Sequence, residues 1–97
     1  MKPRSLRFHP KALADLEEAD RYYAAISLPL AMRFLEAVEE CIGYLLQFPG
    51  GFPMVRDPIR QVPMNDFSFL VIYAWVEQEI IVLRVFPTAK DPSGQLI

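Results

Sequence analysis

Apolar residues fill two nearly unbroken runs, residues 67–76 and 80–86, separated by Glu77, Gln78 and Glu79. Both runs are rich in β-branched and aromatic side chains and contain no Gly or Pro, which predicts two strands joined as an antiparallel hairpin. Side chains alternate across a strand, so Phe67, Phe69, Val71, Tyr73 and Trp75 share one face, and Leu70, Ile72, Ala74 and Val76 the other. An antiparallel sheet wetted on one side carries apolar residues on the other side only. This hairpin is apolar on both faces and requires cover on both.

Upstream the period changes. Ala12, Leu16, Ala19, Tyr23 and Ile26 recur at three- and four-residue steps, predicting a helix over about residues 10–25 that starts behind His9-Pro10. Glu17 and Arg21 fall four residues apart on its polar side, in the order that favours an ion pair. Ser27 is placed to cap a second helix with Pro29 in its first turn. The apolar stripe of that helix is Leu30, Phe34, Val38, Cys41, Ile42 and Leu45, and Phe48-Pro49-Gly50-Gly51 ends it. So short a link makes the two helices an antiparallel hairpin with one shared apolar face. Residues 4–8 predict a first strand, and residues 50–58 a loop by their Gly and Pro content. Residues 59–62 alternate as a strand that Pro63 ends or confines to an edge. Residues 88–95 form a polar tail. The order β-α-α-β-β-β describes one α+β domain over residues 1–97, with an antiparallel sheet of about four strands and a two-helix hairpin packed on one face. The second apolar face is then left for a second copy of the chain or for a dedicated partner.

Composition narrows the function classes. A chain of 97 residues has room for one core. No apolar run reaches the roughly 18–20 residues of a membrane span, and the basic start Met1-Lys2-Pro3-Arg4 lacks the apolar segment of a signal peptide. A single cysteine, Cys41, forms no internal disulfide, which agrees with a reducing, cytoplasmic location. Its place in an apolar helical stripe, beside Glu39 and Glu40, predicts a buried structural thiol, not a nucleophile. Charge is unevenly spread: residues 1–11 carry Lys2, Arg4, Arg7 and Lys11 without an acid, whereas residues 12–47 carry seven acids against Arg21 and Arg33. The net charge of −2 and the lack of a dense Lys/Arg face speak against direct nucleic-acid binding.

Catalytic chemistry is sparsely represented. No phosphate-binding glycine loop, metal-ligand spacing or cofactor motif is present, and with one histidine, His9, no usual hydrolytic triad can form. His9 reads as a helix-start residue, and the carboxylate pairs Asp15/Glu18 and Glu36/Glu40 as parts of solvated helix faces. The polar residues on or beside the strands are Arg60, Tyr73, Arg84, Lys90 and Asp91. Arg84 stands in an apolar strand, on the face shared with Val82 and Phe86. It either packs its stem on the sheet and pairs with a carboxylate, or contacts a partner together with aromatics such as Tyr73 and Trp75.

Several motifs in sequence order resemble the RelE/ParE toxin superfamily, on its ParE-like side. They are the helix start Phe8-His9-Pro10-Lys11-Ala12-Leu13-Ala14-Asp15-Leu16, Tyr22-Tyr23, Arg33-Phe34-Leu35, the Phe48-Pro49 stop, Arg60, the run Phe67-Ser68-Phe69-Leu70-Val71-Ile72-Tyr73 and the closing Lys90-Asp91-Pro92. The resemblance implies the toxin of a type II toxin–antitoxin (plasmid stabilisation) module. It implies a cognate antitoxin that lays a helix and an added strand on the toxin. Partner-binding residues are then expected at Phe69, Tyr73, Trp75, Arg84 and Phe86, in a homodimer or a toxin–antitoxin hetero-oligomer. ParE-like members are linked to poisoning of DNA gyrase, a protein contact without chemistry by the toxin. The alternatives are a RelE-like ribosome-dependent mRNA endoribonuclease, with Arg60, Tyr73, Arg84 and Lys90 as candidate catalytic groups, and an inactive antitoxin-binding member. The chain departs from the family pattern at Phe67-Ser68-Phe69, where Phe-Pro-Tyr is frequent. It also has Pro87 near the usual place of a histidine, and Lys90 where an arginine is usual. These departures favour the non-enzymatic reading.

Overall fold

The computed structural model describes residues 5–88, which run as β1 (Ser5–Phe8), α1 (Pro10–Ile26), α2 (Leu28–Gln47), β2 (Met54–Arg56), β3 (Ile59–Pro63), β4 (Phe69–Val76) and β5 (Glu79–Pro87). His9 and Ser27 cap the two helices: His9 Nδ1 accepts from the Lys11 N–H at 3.0 Å and Ser27 Oγ from the Leu30 N–H at 3.1 Å. The helices pack on one another, and α1 also packs on β5. Of the expected stripes, that of α2 is buried or half-buried throughout. In α1, Ile26, the last residue of the helix, is exposed. The ion pairs among the described residues are Arg7 with Glu79 and Arg84 with Asp15, so Glu17 and Arg21 do not close one.

The sheet has five strands in the order β1-β5-β4-β3-β2, and it is mixed, because β1 runs parallel to β5 while the other neighbours are antiparallel. The extra strand, β2, lies inside the stretch expected as a loop. Its three residues are all exposed, and a segment so short and so wet leaves no hydrophobic alternation to detect. It pairs only with Ile59 and Arg60, so Pro63 falls where β3 has a free side and its missing N–H interrupts no ladder there. Val76 and Glu79 face each other across the β4–β5 turn, where Glu77 takes a φ of 57°.

The core lies between the helical hairpin and one face of the sheet. Phe69, Val71 and Tyr73 of β4 and Ile80, Val82 and Val85 of β5 are buried there against Ala12, Phe34, Val38, Cys41 and Leu45. Tyr23, Phe34, Phe67 and Phe69 form an aromatic knot with ring centroids 5.1–6.4 Å apart, joining both helices to the start of β4. On the other face, no element of the described chain lies over Leu70, Ile72, Ile81 or Phe86, which stay half-buried by their sheet neighbours alone.

Candidate functional site

The residues expected to act fall into two clusters, one on each side of the sheet. In the first, Arg60 and Tyr73 are register partners on β3 and β4 and both tie down the loop after α2. The Tyr73 hydroxyl donates to the Pro49 carbonyl at 2.6 Å, and Arg60 Nη1 donates to the Phe52 carbonyl at 2.8 Å. The Arg60 guanidinium lies 5.8 Å from the Trp75 ring, and the indole Nε1 donates to the Glu77 carbonyl at 2.9 Å. A side chain on Gly50 would place its Cβ 3.2 Å from the Trp75 ring, close enough that the ring would have to shift by a few tenths of an ångström. Tyr73 is fully buried, and burial raises its pKa although Arg60 opposes the shift. It is therefore held as a neutral hydrogen-bond donor to the backbone, a poor state for a general base. Phe69 is likewise buried, so neither residue offers a surface to a partner in this conformation.

The second cluster is built on a β-bulge. Tyr73 is in register with Val82 but Ile72 with Arg84, so Leu83 is an extra residue in β5. The bulge shifts the alternation, and Arg84 shares a face with Phe86 and Ile72 but not with Val82, as strict period 2 had implied. Beyond Val82, β5 has run past the end of β1. There Asp15 of α1 occupies its free side. Its Oδ2 accepts from Arg84 Nε at 2.7 Å and from the Val85 N–H at 2.8 Å, and its Oδ1 accepts from Arg84 Nη2 at 3.0 Å. The carboxylate thus closes a bidentate pair and satisfies a backbone donor that has no strand partner beyond the end of β1. These hydrogen bonds raise the Arg84 pKa above its ordinary value. Side-chain exposure is 43% for Arg84 and 14% for Asp15, so the arginine still presents an edge, with its guanidinium 5.5 Å from the Phe86 ring. Asp15 was legible only as half of a solvated carboxylate pair; its signal was the need of Arg84, in an apolar strand, for an anion.

Of the expected site residues, Arg84 and Phe86 come together beside the open sheet face, whereas Arg60, Tyr73 and Trp75 gather at the opposite face. Lys90 lies outside the described residues. Cys41 is buried, and burial, helped by Glu40, pushes its thiol pKa up to about 11. Among the described residues no group of three His, Cys, Asp or Glu side chains is arranged to hold a metal ion, and no helix is long and apolar enough to cross a membrane.

Comparison with known proteins adds to this geometry. Residues 6–92 match the family model described as the ParE toxin of the type II toxin–antitoxin system, parDE. Among solved structures, one described as the chromosomal ParDE TA system from P. aeruginosa superposes with a TM-score of 0.75 at 22% identity, covering 88% of this chain and 96% of that one. At that identity the likeness is one of fold. No curated protein matches the chain.

Proposed function

The chain belongs to the ParE toxin family of type II toxin–antitoxin systems, and from that premise we propose that it arrests growth by a protein contact, with DNA gyrase as the target, and that a cognate antitoxin neutralises it. The observation that carries this reading is the apolar face formed by Leu70, Ile72, Ile81 and Phe86, which no described element covers, with Arg84 at its margin. Apolar surface backed by a rigid sheet and edged by an arginine and an aromatic ring is suited to protein recognition. Among the described residues, three of the four groups named for an RNA-cleaving reading already hold partners within the chain. Tyr73 and Arg60 hold backbone carbonyls, and Arg84 holds Asp15.

Inducible expression in a bacterial host tests the reading, following growth, DNA-damage signalling and bulk translation together. Arrest with a damage response and continuing translation is expected, relieved by co-expression of the cognate antitoxin. Immediate loss of translation would assign the chain to ribonuclease action instead. Growth without arrest would leave an inert antitoxin-binding protein.

A further inference from the structure

Between α1 and the sheet end where β4 begins and β5 finishes lies an open cleft of about 560 Å³. Tyr22, Tyr23, Phe67 and Val85 line it together with three carboxylates, Asp15, Glu18 and Asp66, of which Glu18 and Asp66 are exposed at its opening. The three carboxylates are not equivalent. Asp15 is engaged by Arg84 and the Val85 N–H, whereas Glu18 and Asp66 are exposed and hold no ion pair among the described residues. No lysine or arginine is among the residues that line the cleft. The result is an apolar groove whose two exposed carboxylates have no cationic partner among the described residues, on a chain whose net charge is already −2. Such a rim repels phosphate, so nucleic acid and anionic lipid are disfavoured as occupants. Tyr22 is 64% exposed and stands edge-on to Tyr23, with ring centroids 5.1 Å apart. An exposed aromatic ring beside free carboxylates is a setting in which a guanidinium is held by charge and by the ring together.

We propose that this cleft receives a basic, partly apolar segment of the partner protein, with arginine heads on Glu18 and Asp66 and apolar side chains against Tyr22 and Phe67; the proposal rests on the reading that a second protein neutralises the chain. The segment is gripped by side chains and does not extend the sheet at this point. Past Val82, Asp15 already takes the Val85 N–H, and Pro87 has none to offer.

The test uses the full chain, made by cell-free synthesis and isotope-labelled, titrated with a capped five-residue peptide of alternating valine and arginine. A peptide of alternating valine and glutamate serves as control. Saturable shifts of the amides of Ala19, Phe67, Ser68 and Val85 are expected with the arginine peptide only, weakening as salt is raised. The double variant Glu18→Gln/Asp66→Asn should weaken binding at least tenfold while its spectrum stays folded, since asparagine tolerates the φ of 70° at position 66. Equal response to both peptides, shifts centred elsewhere, or undiminished binding by the double variant would each overturn the proposal. So would spermidine producing the same shifts at lower concentration, which would mark a polyamine site. The titration needs neither antitoxin nor toxicity, so a failure of the growth-arrest reading is seen separately from a failure here.

Discussion

At the scale of single residues, Asp15 is the side chain that ties α1 to the outer part of β5. One carboxylate accepts three hydrogen bonds, two from Arg84 and one from the Val85 N–H. Arg84 is exposed enough to be rehydrated if the pair is lost, so the ion pair itself adds little. Val85 is buried, and its N–H has no such escape. Asp15→Ala should therefore cost about 1–3 kcal/mol, the penalty of a buried donor left unsatisfied. Asp15→Asn, whose remaining oxygen still accepts one bond, should cost less. Urea unfolding midpoints measure both. An alanine variant as stable as the parent would show that water reaches the bulge freely and that the carboxylate is not needed there.

At the scale of elements, α2 carries a fault that is simple to mend. Gly43 sits inside the helix, exposed, and an added Cβ would meet nothing within 4 Å. Glycine in a helix interior is less favourable than alanine by roughly 0.5–1 kcal/mol. Gly43→Ala should raise the melting temperature by several degrees, on the order of 4–8 °C per kcal/mol for a domain of this size. A lowered melting temperature would mean that something packs on that point of the helix. Both helices, their caps and the β4–β5 hairpin could be read from the chain, because each rests on a strong local rule: period 3.6 with a capping side chain, or an apolar run broken by a polar turn. The parts that escaped rest on non-local pairing. β2 is three exposed residues that exist as a strand only because β3 lies beside them. The bulge at Leu83 was invisible because Val82, Leu83, Val85 and Phe86 are all apolar, so either phase of the alternation looks equally satisfied. That phase decided the site. It moved Arg84 off the face of Val82 and let it reach Asp15, whereas Tyr73, expected at a partner surface, is buried because its face of β4 is the one the helices cover.

At the scale of the whole molecule, a single helical layer on a two-faced apolar sheet sets one requirement: the face that no described element covers must tolerate water in the free chain. Its residues are half-buried by their sheet neighbours, whereas those on the helix side are sealed. The same substitution on the two faces separates these states. Ile80→Thr removes a methyl group from a fully buried site and puts a hydroxyl there, so a loss of about 2–4 kcal/mol is expected. Ile72→Thr keeps the β-branch that suits a strand and places its hydroxyl where water can reach it, so the loss should stay below about 1 kcal/mol. If Ile72→Thr proves as damaging as Ile80→Thr, the face is already covered in the free protein. A second copy of the chain would then be the cover, and the melting temperature would rise with protein concentration. If the two differ as expected, the face is open in the monomer, and Ile72→Thr should weaken capture by the antitoxin while leaving the fold intact.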